Sequence, residues 1–156
     1  MSGRNETYDI VVGIPSYNEV DTIGHVAEAA GRGLDRYFPG LRGVVVNCDN
    51  RSTDGTREAF FSAPFPKSVD REYLATPEGV VGKGNNFWNL FRFIEKVQAK
   101  AAVVVDADLR SITPEWIRYL GFPVFKGGYD FVAPYYSATS STGRSRTICA
   151  IPWCTP

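Results

Sequence analysis

Apolar and polar positions in this chain fall into short blocks that switch between strand and helix periodicity. Tyr8 to Ile14 (YDIVVGI) is a β-branched apolar run ended by Pro15, which predicts a buried strand. A polar turn, Ser16 to Glu19, follows it. Ile23, Val26, Ala27, Ala30 and Leu34 then recur at helical spacing, and Gly31, Gly33 and Pro39-Gly40 are expected to weaken and stop that helix. Gly43 to Cys48 (GVVVNC) predicts a second buried strand. Asp49 to Gly55 reads as a loop, with Asp54 as N-cap of a short helix through Ala63, where Pro64 and Pro66 end it. Asp70 to Thr76 reads as a third strand. Gly79 to Gly84 is a Gly-rich loop leading into a helix with one apolar stripe, Phe87, Leu90, Phe91, Ile94 and Val97. Ala101 to Val105 (AAVVV) predicts a fourth strand. Thr113 caps a further helix with Pro114 at its first position, and Tyr129 to Pro134 reads as a fifth strand.

Strands alternating with helices predict an α/β layer with a mostly parallel sheet and helices on both faces. The stretch from Ser137 to Pro156 is different: it is rich in Ser, Thr and Arg and follows neither period. The expected plan is therefore a domain over residues 1–136 and an irregular tail over residues 137–156. A chain of 156 residues is long enough for one buried core. Seventeen basic residues balance seventeen acidic ones, so no broad field recruits nucleic acid or an anionic membrane. Cys48, Cys149 and Cys154 make no zinc or C-x-x-C pattern, and Cys48 reads as a buried free thiol. The polar first residues lack a signal-peptide core, and no apolar run is long enough for a bilayer; the expected location is the cytoplasm.

Candidate chemistry collects at the carboxyl ends of the predicted strands, where open α/β sheets bind ligands. After the first strand come Pro15, Ser16, Tyr17, Asn18 and Glu19. After the second come Asp49 and Asn50. Lys83 stands between two glycines before the long helix, and Asp106-Ala107-Asp108 follows the fourth strand. In an extended segment, side chains two apart share a face, so Asp106 and Asp108 form a carboxylate pair suited to Mg²⁺ or Mn²⁺ bound together with phosphate oxygens. A capping or turn pair is the plainer alternative, and the company of the other motifs favours the metal. Lys83 suits an anion at a helix start or is a solvated loop lysine; the P-loop spacing is absent. Asp49 could accept a base N–H or serve as a turn aspartate. Glu19 could hold a ribose hydroxyl or help start its helix. His25, the one histidine, reads as structural.

Taken in order, IPSYNE, DNRSTDGT, GKG and VVVDADL resemble the family 2-like GT-A glycosyltransferases, in particular the glucosyl-3-phosphoglycerate synthase and mannosylglycerate synthase branch. The similarity spans roughly residues 8 to 136, and the ensemble is more specific than any of its pieces. It implies a GT-A layer binding a UDP- or GDP-sugar, with Pro15, Tyr17, Asn18 and Glu19 cradling the nucleoside. It also implies Asp49 and Asn50 at base or ribose, Lys83 at the nucleotide, and Asp106 near the ribose beside Ala107. Asp108 would bind the metal. The implied reaction is metal-dependent sugar transfer to a small-molecule or lipid acceptor, with retention of configuration.

The sequence departs from the branch after Ser137. Members continue with an Arg-His pair and a D-G-T-I-T-N-like stretch, whereas this chain reads Ala138-Thr139-Ser140-Ser141-Thr142-Gly143-Arg144-Ser145-Arg146-Thr147. Joining the last base of each codon to the first two of the next permits R-H-Q-F-D-G-T-I-T-N. A frameshift near Ser137 is the expectation, with a naturally divergent tail as the alternative. The C-terminal half of the fold would then be missing, leaving apolar surface uncovered and open to self-association. Such a polypeptide would hold nucleotide and metal and turn over nothing, while the full-length product would be the transferase. A nucleotidyltransferase is disfavoured, because IPSYNE replaces its Gly-rich first loop.

Overall fold

The computed structural model describes residues 7–80, 82–137 and 147–152. Its centre is a parallel sheet of β1 (Ile10–Ser16), β2 (Gly43–Asp49), β3 (Asp70–Ala75) and β4 (Ala101–Val104), in the order β3-β2-β1-β4. The helices are α1 (Ile23–Tyr37), α2 (Thr56–Ser62), α3 (Lys83–Lys96) and α4 (Pro114–Gly127). The chain moves outward from β1 to β3, then returns past β1 to lay down β4. Right-handed crossovers in opposite directions put their helices on opposite faces. Accordingly, Ile10, Val12 and Ile14 pack with residues of α1, α2 and α4, while Val11, Val44 and Val46 pack with Leu90 of α3. The mostly parallel sheet with helices on both faces is as expected.

Two close approaches set the layer spacing. A Cβ on Gly13 would lie 2.2 Å from Leu90 Cδ2, so only glycine lets α3 sit this close to β1. A Cβ on Gly33 would lie 2.6 Å from Ile117 Cγ1. Gly31 and Gly33 therefore do not weaken α1 as expected. They lie inside it and form the seat for its neighbours, and the helix continues to Tyr37 before Pro39.

Several boundaries differ from the expectation. Pro15 lies within β1 rather than ending it. Gly13 O accepts Val105 N–H, so Pro15, two residues on, also faces the β4 side, where the ladder has stopped and no N–H is needed. At α2 the N-cap position belongs to Gly55, not Asp54. The Asp54 carboxylate still caps, accepting Thr56 N–H at 3.0 Å from one residue further out. The apolar stripe of α3 is also shifted. Asn86 and Leu90 are buried, with Val97 just beyond the helix, while Phe91 is 54% exposed and Trp88 63%. The Leu90–Gly13 seat fixes the helix rotation, and Phe87 and Phe91 pack on each other at its flank.

The tail also departs from the irregular reading. β5 (Val132–Ser137) begins later than expected and pairs antiparallel with β6 (Thr147–Pro152), outside the parallel sheet. Backbone pairing makes this segment a strand without a two-residue hydrophobic alternation. Residues 138–146, Cys154 and the polar first six residues lie outside the described residues. No helix among the described residues is long and apolar enough to cross a membrane.

Candidate functional site

The site lies where the chain reverses direction in the sheet, between the ends of β1 and β4. The helices that follow the two strands, α1 and α4, pack together on one face, and the start of α3 reaches the same edge from the other, leaving a crevice between the strand ends and that helix start. The crevice is an open cleft of about 500 Å³, lined by Pro15, Ser16, Tyr17, Glu19 and Asn50 on one side. Gly82, Lys83, Asn86, Asp106, Ala107 and Asp108 line the other. Eight of the expected residues thus meet in one cavity: Pro15, Tyr17, Glu19, Asn50, Lys83, Asp106, Ala107 and Asp108.

Burial alternates along β4 and continues past its end: Ala101, Val103, Val105 and Ala107 are buried, whereas Asp106 and Asp108 are exposed. The two carboxylates therefore share the face that carries α3. Lys83, in the first turn of α3, places its Nζ 2.9 Å from Asp106 Oδ1. That hydrogen bond and the charge of Asp106 hold the lysine pKa above its usual value, with Asp108 and Glu19 acting in the same direction. The ammonium is therefore charged throughout the neutral range. Among the described residues no group of three or more His, Cys, Asp or Glu is placed to hold a metal. Asp106 and Asp108 supply a two-carboxylate donor set, to which other ligands would have to be added.

Two expected residues do not line the cleft. Asn18 adopts a left-handed conformation, φ 53°, which asparagine tolerates well. Its N–H donates to Ser52 Oγ at 2.7 Å and its Oδ1 accepts Thr53 N–H at 3.1 Å. It ties the loop after β1 to the loop after β2. Glu19 N–H to Thr56 Oγ1 and Val20 N–H to Asp54 Oδ2 add to the same latch. Much of the DNRSTDGT motif therefore serves to fix the loop that carries Tyr17 and Glu19.

Asp49 is fully buried. Its carboxylate accepts Ser16 Oγ at 2.9 Å, Ser52 Oγ at 2.5 Å, Ser52 N–H at 2.7 Å and Tyr73 Oη at 2.7 Å. The Ser52 N–H and the Ser52 and Tyr73 hydroxyls occupy it, while the single Ser16 proton is shared with Asn47 Oδ1 at 2.6 Å, and Asn50 alone of the pair faces the cleft. Of the alternatives open for Asp49, this geometry is that of a structural turn aspartate. Ser16 and Gly82, noted in the sequence without a role, also line the cleft, and Asn86 is a lining residue that sequence reasoning missed. Asn86 falls at the start of a helix where a polar residue looks solvent-directed, and only the docking of α3 turns it inward.

No family model and no curated protein matches the chain. Solved structures do. A glucosyl-3-phosphoglycerate synthase from Mycobacterium tuberculosis, crystallised with Mn²⁺, uridine-diphosphate-glucose and phosphoglyceric acid, is 22% identical with a TM-score of 0.59. The match covers 77% of this chain and 40% of that one. The fold is the GT-A glycosyltransferase fold. Another structure of the Mycobacterium tuberculosis synthase is 25% identical, with a TM-score of 0.54 over 77% of this chain and 41% of that one. A further mycobacterial protein is 26% identical, with a TM-score of 0.56 over 77% of this chain and 38% of that one. The chain thus resembles glycosyltransferases of this GT-A type and spans about 40% of their length.

Proposed function

We propose that this chain is the donor-binding part of a glycosyltransferase that takes a UDP- or GDP-sugar together with Mg²⁺ or Mn²⁺ and passes the sugar to a small-molecule or lipid acceptor. The observation that carries the proposal is the cleft at the β1/β4 reversal. It gathers a protonated lysine, two carboxylates on one face and a polar nucleoside-sized wall.

In this reading Tyr17, 59% exposed at the rim, offers a ring face to the base, and Glu19 accepts a ribose hydroxyl. Asp106 stands between the ribose and the phosphates. Lys83 turns its ammonium toward the diphosphate oxygens, within reach of the place where Asp106 now holds it. The Asp106 and Asp108 carboxylates are hard oxygen donors that suit Mg²⁺ or Mn²⁺. Such ions accept one or two carboxylates and complete their shell with substrate phosphate and water. When bound, the cation would offset charge on the departing diphosphate.

Because the chain spans about 40% of the neighbours' length, the proposal for this polypeptide is donor binding. Transfer to an acceptor belongs to the proposal for the whole enzyme. A domain over residues 1–136, a changed reading frame after Ser137 and a cytoplasmic location go with it, and the coding DNA tests the frame. Exposed Trp88 and Phe91 on α3 support self-association, measured by sedimentation. The primary test is a calorimetric titration with UDP, GDP and their sugars, with and without Mn²⁺. One nucleotide should bind in a Mn²⁺-dependent way. Asp108→Ala, at an exposed position, should fold normally and lose that dependence. Unchanged Mn²⁺-dependent affinity in the folded variant refutes the metal assignment, and donor hydrolysis measured alongside separates turnover from binding alone.

A further inference from the structure

With Asp49 outside the cleft and held by Ser52 and Tyr73, an acceptor for a base N–H must come from another residue. Among the described residues, two buried side-chain polar atoms have no partner: Asn47 Nδ2 and Asn86 Oδ1. Asn47 is sealed beneath the sheet end, at 0% exposure, and does not line the cleft. Asn86 lines it at 2% exposure. Its Nδ2 donates to Ser16 O at 3.1 Å, which fixes the amide, because the reversed orientation would set two carbonyl oxygens against each other. Oδ1 is therefore a preset acceptor, and leaving such an atom buried and unpaired is costly.

The neighbouring groups decide what kind of donor fits. Ser16 O also accepts Asn50 N–H at 2.9 Å, so the two asparagines meet at the same strand end. Thr76 Oγ1 donates to Asn50 Oδ1 at 3.1 Å, which leaves Asn50 Nδ2 as the donor end of its amide. Both residues line the cleft, which thus offers an acceptor on Asn86 and a donor on Asn50, the two kinds of partner that a ring N–H and its neighbouring carbonyl use. A phosphate brings only acceptors and would be repelled by Asn86 Oδ1. The helix start has room to adjust, since a Cβ on Gly82 or Gly84 would meet nothing within 4 Å.

We infer that Asn86 is a base-recognition residue whose Oδ1 accepts the ring N–H of a bound nucleobase, uracil N3–H or guanine N1–H. The inference rests on the donor-binding reading above. Its test is calorimetry with Mn²⁺ present, comparing UDP with N3-methyl-UDP, and GDP with N1-methyl-GDP, on the wild type and Asn86→Ala. The nucleotide that the wild type binds should weaken about tenfold or more on methylation, the cost of a lost hydrogen bond to a buried group. Asn86→Ala should bind the parent nucleotide about tenfold less tightly and discriminate the methylated form by no more than about twofold. The ligand comparison on the wild type needs no variant, so a poorly folding Asn86→Ala leaves the test standing. Failure of a folded wild type to bind either parent nucleotide overturns the donor reading and this inference together. Equal binding of parent and methylated nucleotide, or an unchanged ratio in Asn86→Ala, overturns this inference alone.

Discussion

Gly13→Ala should destabilise the domain by about 1–3 kcal/mol, although alanine is the better strand residue where nothing opposes it. The new Cβ would stand 2.2 Å from Leu90 Cδ2, 2.7 Å from Cδ1 and 3.0 Å from Cγ. Ordinary carbon contacts begin near 3.5 Å, so Leu90 or α3 must retreat by roughly 1.3 Å. Leu90 is fully buried among Val11, Val44, Val46, Cys48 and Val97, so its side chain has no open space to enter. Leu90→Ala alone should cost about 2–5 kcal/mol through the cavity it leaves. In the double variant the alanine methyl at position 13 occupies part of that cavity. The pair should then be less destabilised than the sum of the singles by about 1–2 kcal/mol. Urea melts of the four proteins measure this cycle. Additivity within about 0.5 kcal/mol would show that the close approach does not set the position of α3. The same displacement moves Lys83 and Asn86, so Gly13→Ala should also weaken Mn²⁺-dependent nucleotide binding.

Asp49→Ala should destabilise the fold by about 1–3 kcal/mol, because it removes the acceptor of half-buried donors on Ser52 and Tyr73, while Ser16 keeps Asn47 Oδ1. Unchanged stability with lost nucleotide affinity would return Asp49 to a base-binding role. Stability should also fall at alkaline pH. Burial, and then the hydrogen bond to Asp49, hold the Tyr73 hydroxyl well above its ordinary range. Above about pH 10 the unfolded chain releases a proton that the folded chain retains, so stability declines with rising pH from there. Lys83 acts in the same direction, its ion pair being retained below its raised pKa and lost above it. Tyr73→Phe should flatten the decline in denaturation midpoints, leaving the smaller part due to Lys83; an identical decline would refute the assignment.

Much of this arrangement was legible in the chain. The apolar runs around Val12 and Val45 marked two of the parallel strands, because both faces of a covered sheet are dry and each run must be apolar throughout; the run around Val103 marked a third, although its Ala102 and Val104 are exposed. The polar groups after them marked the edge where the cleft lies, since parallel strands all end on the same side. Asp106 and Asp108 could be placed on one face from the two-residue period alone, and the burial of Ala107 between them follows that period.

Other features required distances across the fold. Asp49 and Asn50 are adjacent in sequence, yet one is held by Ser52 and Tyr73 and the other faces the cleft. Phe91 fits a helical stripe as well as Leu90 does, but the notch at Gly13 accepts only one of them and so fixes the rotation of α3. That rotation also turns Asn86 inward with an unpaired oxygen. By itself the sequence determined the layer, its periods and the edge where the candidate cleft lies, because these depend on local patterning and chain direction. Tertiary structure decided which polar groups are spent on holding loops together and which remain for a ligand. Hydrogen-bond partners are assigned by contacts between residues far apart in the chain, and local patterning carries no record of them.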